Sequence, residues 1–260
     1  MRTVLVHGNF SRHMVREKAQ VKANTPVCCI LLMALSMAPM AALATDSLKS
    51  EVALVSDYVF RGISQSNNKA ALQGGAEYQH SLGFYAGAWG SMVDTEPFNA
   101  PDDGSFIEVD LYGGFSSEIK AIDLGWDVGV ISYQYNDSDD TYNEVYGSVS
   151  FDPWRDHLTV VGKVSYDWDN NVTTAEALAT LDLGRDIHLN FHPGQVRYDE
   201  TAAEDYFFAE AGVGTRFDFS RYIKTLDVDI NYSDTDLDQD IDGNSGITHK
   251  IWWLGLKAHF

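Results

Sequence analysis

The chain has almost no cysteine, few basic residues and, past its first 44 positions, no long apolar run, and each scarcity excludes something. Its two cysteines, Cys28 and Cys29 among 260 residues, fall inside an N-terminal stretch built like an export signal. A mature protein without them has neither a thiol nor a disulfide framework. Basic residues number 18 against 38 acids. Five of the bases (Arg2, Arg12, Arg16, Lys18, Lys22) and one acid (Glu17) precede residue 45, which leaves 13 against 37 and a mature net charge of −24. Such a surface repels phosphate backbones and argues against a nucleic-acid partner. Past residue 44 no apolar run approaches the roughly 20 residues of a membrane helix, so a membrane-spanning form must be a closed β-barrel.

The leader accounts for both the basic cluster and the cysteines. Positive charge runs to Lys22, Val27 to Leu35 is apolar, and Ala42-Leu43-Ala44 has the small-x-small pattern of a signal-peptidase site. Cleavage is expected after Ala44, giving a signal peptide over 1–44 and one domain over 45–260. An uncleaved helix is the alternative, and Pro39 with the small residues after it favours cleavage. Residues before Met14 are superfluous to such a signal, so either Met1 or Met14 can start translation. Cys28 precedes most of the apolar core instead of following it, which argues against a lipid anchor.

What is present is alternation. Phe260, Ala258, Leu256, Leu254 and Trp252 make an apolar face, with His259, Lys257, Gly255 and Trp253 between them. Successive side chains of a strand point to opposite faces, so one face can meet hydrocarbon and the other water. The same two-residue period recurs along the chain and predicts about twelve strands in an antiparallel up-and-down barrel, an all-β fold. Strand one is read from Glu51 to Arg61, with Val52, Leu54, Ser56, Tyr58 and Phe60 outward and Ala53, Val55, Asp57, Val59 and Arg61 inward. Connections after even-numbered strands are tight; those after odd-numbered strands are generally longer and more acidic, the pattern of periplasmic turns and external loops. Aromatics at strand ends (Tyr58, Phe60, Tyr166, Trp168, Tyr232, Trp252) suit interfacial girdles. A soluble β-sandwich also alternates, but it gives no reason for the terminal Phe260 or the girdle.

The segment Val55-Ser56-Asp57-Tyr58-Val59-Phe60-Arg61-Gly62-Ile63-Ser64-Gln65 resembles the opening strand of the TorF-type porins, proteobacterial outer-membrane proteins of unknown function. The similarity continues through Gly129-Val130-Ile131-Ser132-Tyr133 and Glu144-Val145-Tyr146 to Phe260. That resemblance implies an outer-membrane barrel with a pore, and it carries over no catalytic or ligand residue. A terminal aromatic of this kind is similar to the signal read by the barrel-assembly machinery, which with outer-membrane lipid and lipopolysaccharide is an expected partner.

Other constellations are weaker. Asp238, Asp240, Asp242 and Gly243 match the first half of an EF-hand loop, but His249 stands where the bidentate glutamate is required; loop solvation or a weak divalent site is preferred. His188 and His192 share one inward face with Asn190, an arrangement read as hydrogen-bonded lumen histidines in preference to a metal pair. His80-Ser81 lacks a Gly-x-Ser-x-Gly elbow. No catalytic residue, metal site or cofactor is therefore expected. The pore-lining set is Asp57, Arg61, Glu108, Asp110, Asp127, Glu144, Lys163, Glu176, Asp227 and Asp229, flanked by Glu77, Asp167, Asp182, Glu210 and Lys257. Its surplus of acids predicts passive passage of small solutes with a preference for cations. The alternatives are a barrel hydrolase and a non-conducting structural or adhesive barrel.

Overall fold

The computed structural model describes residues 46–94, 105–136, 141–154, 157–199, 204–219, 222–237 and 247–260. The expected signal peptide, Met14, both cysteines and the Asp238–Gly243 motif lie outside these residues. The strands are β1 (Ser47–Val55), β2 (Val59–Phe60), β3 (Ile63–Ser64), β4 (Ala71–Gln79), β5 (Phe84–Asp94), β6 (Ser105–Ile119), β7 (Leu124–Tyr135), β8 (Thr141–Trp154), β9 (Leu158–Asp167), β10 (Val172–Gly184), β11 (Ile187–Tyr198), β12 (Tyr206–Asp218), β13 (Thr225–Thr235) and β14 (Ile251–His259). Twelve of them, β1 and β4 to β14, form a closed antiparallel barrel, while β2 and β3 form a separate two-stranded hairpin. A 3-10 turn, Lys120–Ile122, joins β6 to β7.

Closure follows from β1, which pairs with β4 on one side (Glu51 opposite Gly75) and with β14 on the other (Glu51 opposite His259). No edge is left unpaired, which is what lets a sheet stand in lipid. The outward face of β14 presents Trp252, Leu254, Leu256 and Phe260, all well exposed, and neighbouring β1 presents Val52 and Leu54. A soluble protein does not leave such a surface to water.

Aromatic side chains mark both rims of this apolar surface. Tyr166, Trp168, Phe207 and Trp252 are exposed near the end with the long connections, where Tyr232 packs on Trp252 at 4.8 Å between ring centroids. Phe84, Trp154, Phe217 and Phe260 are exposed at the opposite end, and there Phe84, Phe115 and Trp126 form a chain of ring contacts at 4.9 and 5.6 Å. Eight residues separate Trp252 from Phe260, roughly 27 Å along a strand and about 20 Å across a tilted barrel wall, close to the apolar band of outer-membrane barrels. Outside the spanning strands, Asp46 accepts hydrogen bonds from the Tyr78 hydroxyl (2.7 Å) and the Ser81 amide (3.1 Å). These bonds hold its carboxyl below the ordinary carboxylate range.

The first strand departs from the alternation reading. It stops at Val55, and Tyr58 and Phe60, expected on the lipid face, are each only 4 % exposed inside the barrel. The chain leaves the wall where Ser56 caps the β14 backbone: its amide donates to the Leu254 carbonyl and its hydroxyl accepts from the Leu254 amide, both at 2.9 Å. From there to Ala70 it folds inward.

Candidate functional site

The infolded segment, residues 56–70, is built around a two-residue hairpin. Phe60 opposes Ile63, and the intervening Arg61 and Gly62 both have positive φ, 47° and 83°, the signature of a type I′ turn. Asp57 fastens the base: its Oδ1 accepts from the hydroxyls of Ser64 (2.6 Å) and Ser66 (2.9 Å). The Tyr58 amide in turn donates to Ser66 Oγ (2.9 Å). Asn67 and Asn68 take the next two positive-φ positions, which asparagine tolerates better than most residues. The Asp94 amide donates to the Gln65 carbonyl (2.9 Å), and Lys69 Nζ reaches Asp94 Oδ2 at 2.5 Å, tying the segment to the end of β5.

The hairpin tip crosses the lumen. Arg61, 1 % exposed, donates through Nη1 and Nη2 to the two oxygens of Glu144 on β8 (2.8 and 3.1 Å), through Nη2 to Ser165 Oγ on β9 (3.0 Å), and through Nε to Glu176 Oε1 on β10 (3.1 Å). β9 stands six strands from β1 in either direction around the barrel, so the tip has reached the opposite wall. The Gly62 amide donates to Glu210 Oε1 on β12 at 3.2 Å. His192 bridges behind the tip, with Nε2 3.2 Å from Glu176 and Nδ1 3.4 Å from Glu210. A positive φ at a non-glycine residue is strained, and this network of charge-assisted bonds offsets the strain at Arg61.

Below the tip, toward the end with tight turns, a cavity of about 220 Å³ is lined by the underside of the segment (Asp57, Tyr58, Phe60, Arg61) and by wall residues including Glu51, Trp89, His192, Glu210, Trp253 and Lys257. Several of the other lumen polar groups form wall pairs. Asp227 accepts two bonds from Arg216 (2.6 and 2.7 Å), Asp229 meets His188 Nε2 at 2.8 Å, and Lys257 lies 3.6 Å from Glu51. Asp127 accepts from Tyr85 (2.6 Å), whose hydroxyl also contacts Tyr146, and Lys163 lies over the Tyr146 ring. Every residue of the pore-lining set stands on the inner side of the barrel. The infolded segment divides them: Arg61, Glu144 and Glu176 belong to its tip contact, whereas Asp127, Lys163, Asp227 and Asp229 face the lumen nearer the tight turns.

His188 and His192 are each paired with carboxylates, and among the described residues no group of three or more histidine, cysteine, aspartate or glutamate side chains has metal-binding geometry. At the tight-turn rim, His80 Nδ1 accepts the Leu82 amide at 3.1 Å. Alternation could not foresee the infolded segment, because Asp57 and Arg61 reach the interior either from a strand face or from a loop. The local sign was composition: Gly62, Ser64, Ser66, Asn67 and Asn68 crowd the run with turn formers.

Residues 41–260 match the model of Gcw_chp, a family of bacterial proteins of unknown function, and the chain belongs to that family. No curated protein matches the sequence. Among solved structures the fold is similar to the KdgM porin (TM-score 0.55, 5% identity, covering 82% of this chain and 98% of that one). It is also similar to KdgM in complex with disordered oligogalacturonate (0.51, 5%, 82% and 95%) and to the NanC porin (0.51, 11%, 82% and 98%).

Proposed function

We propose that this Gcw_chp protein is a porin of the bacterial outer membrane, a passive channel that favours small cations and neutral solutes and performs no catalysis. The observation that carries the reading is a closed twelve-strand barrel with an apolar, aromatic-rimmed exterior around a lumen rich in carboxylates. The porin folds it is similar to, and the resemblance of Val55–Gln65 to the TorF-type porins, support the same reading.

Selectivity follows from charge in a confined space. Glu51, Glu77, Asp127, Glu210, Asp227 and Asp229 line the lumen on the tight-turn side of the infolded segment, against Lys163, Arg216 and Lys257. A surplus of one sign between low-dielectric walls raises the local concentration of the opposite ion. Oligogalacturonate, named with the KdgM structure, is a polyanion; the acidic lumen disfavours a solute of that sign here. The infolded segment narrows the passage, which restricts it to small solutes.

The test is reconstitution of the folded barrel in planar bilayers under a salt gradient. A reversal potential of the sign set by cation flux is expected. Anion preference refutes the selectivity, and a barrel that never conducts while hydrolysing lipid or peptide refutes the channel.

A further inference from the structure

One pair of lumen acids has no counter-charge among the described residues. Glu108 and Asp110 lie two residues apart on the inner face of β6, both 0 % exposed. None of their four carboxyl oxygens has a hydrogen-bond partner among the described residues. The one cation of the infolded segment that reaches the far wall, Arg61, is committed to Glu144 and Glu176. A buried, uncompensated carboxylate costs several kcal/mol, so two side by side either share a proton or take positive charge from outside the described residues.

A second group, on a different element, points at the same place. Tyr58 of the infolded segment packs edge-on against Trp89 at 5.5 Å. Trp89 is the cross-strand neighbour of Asp110, and the buried Tyr58 hydroxyl, too, has no hydrogen-bond partner among the described residues. The cross-strand neighbours of the two acids are Ser91 and Tyr135 beside Glu108, and Trp89 and Tyr133 beside Asp110. Two carboxylates and a phenol oxygen, enclosed by aromatic rings, form an all-oxygen donor set of the kind hard divalent cations take.

We propose that Glu108, Asp110 and the Tyr58 hydroxyl hold one divalent cation of the calcium class. The ion clips the base of the infolded segment to β6 as Arg61 clips its tip to β8 and β10. This assignment does not depend on conduction.

Terbium luminescence tests it on the full barrel, purified folded in detergent and stripped with chelator. Tyr58, Trp89, Tyr133 and Tyr135 surround the site, so aromatic excitation should sensitise a bound terbium ion strongly, with saturation near one ion per chain and displacement by calcium but not potassium. In Glu108→Gln/Asp110→Asn the saturable emission should fall at least tenfold. Tyr58→Phe, which keeps the ring packing, should weaken terbium binding about threefold, and this milder variant decides the matter if the double one does not fold. Asp238→Asn/Asp240→Asn, in the acidic stretch that follows β13 in sequence, should leave the emission unchanged. Equal emission from wild type and both site variants overturns the proposal, as does loss of emission in the loop variant alone; the two acids then share a proton. Bilayer recordings on the same preparation separate this result from the porin reading, since a barrel that conducts without sensitising terbium refutes only the cation site.

Discussion

Arg61 and Glu144, 83 positions apart in sequence, meet across the lumen through two parallel hydrogen bonds of 2.8 and 3.1 Å. One belongs to the tip of a loop that starts at β1 and the other to a strand on the far wall. The pair therefore fixes how much of the passage the loop occupies. Forked guanidinium-to-carboxylate geometry is the strong, directional form of the ion pair. With Glu176 as a third partner it is also fully enclosed.

Arg61→Ala should release the loop. It strands Glu144 as an enclosed carboxylate and leaves Glu176 with His192 alone, and breaking one side of a buried ion pair costs about 3–5 kcal/mol. Larger single-channel conductance is expected, together with a lower unfolding temperature in detergent. Arg61→Lys keeps the charge but loses the fork, and should fall between the two. Unchanged conductance in Arg61→Ala would show that the loop does not govern the passage.

Gly62→Ala separates shape from charge. Gly62 has φ of +83°, and an added Cβ would lie 2.7 Å from Phe208 Cβ and closer still to the Thr235 methyl. Neither neighbour can yield far, because both stand on barrel strands. The expected result is the conductance increase of Arg61→Ala with every ion pair still available, read in the same recordings.

Much of the barrel was legible because its physics is periodic. Val52 and Leu54 outward with Ala53 and Val55 inward, or Leu226, Val228 and Ile230 opposite Asp227 and Asp229, repeat a contrast that lipid and water impose at every second residue. The even strand count and the alternation of tight and long connections were readable for the same reason. What alternation cannot encode is where a strand ends and the chain turns into the lumen. Tyr58 and Phe60 continue the apolar period of β1 without interruption, yet they pack on Trp89 and beneath the Arg61 guanidinium instead of facing lipid. Tyr58 is buried against a partner on β5, and Phe60 beneath a side chain that is itself held by the far wall, relationships that no local pattern carries. The tip contact is longer in range still: Glu144, Ser165, Glu176 and Glu210 were visible as inward polar residues, but not as one receptor for Arg61 and Gly62.

The exterior makes its own prediction. Leu256 stands four residues from both Trp252 and Phe260, hence midway between the aromatic rims, opposite Leu54 and Val228 on the neighbouring strands. Leu256→Arg should cost about 2–4 kcal/mol in a bilayer, whereas Trp252→Arg, at the rim, should cost about 0–1. Folded outer-membrane barrels migrate differently in cold and boiled gel samples. The folded band should be lost or depleted for Leu256→Arg and kept for Trp252→Arg; equal folding of both would contradict a membrane-facing β14.

Phe260 should matter to assembly more than to the finished fold. Its amide donates to the Ser50 carbonyl at 2.9 Å, a single bond at the seam where β14 meets β1, and its ring is partly exposed. Deleting it should sharply lower the amount of folded protein in outer-membrane fractions while leaving refolding in detergent nearly unchanged. Equal loss in both settings would assign Phe260 a structural role instead of recognition by the assembly machinery.

Cation preference should trace to Asp127 and Asp229. Both stand on the inner face nearer the tight turns and clear of the Arg61 contact. Each bonds to a group that an amide can still satisfy, Tyr85 for Asp127 and His188 for Asp229. Asp127→Asn/Asp229→Asn therefore removes charge while keeping shape. Carboxylates inside a narrow passage act on ions with little screening, whereas charges in open solvent fade beyond a Debye length of about 8–10 Å at 0.1–0.15 M salt. The double variant should move the reversal potential toward zero, and Asp152→Asn, on the exposed end of β8, should not. If the turn variant shifts selectivity as much as the lumen pair, the discriminating field lies at the rim and the lumen acids serve only to hold the barrel's interior together.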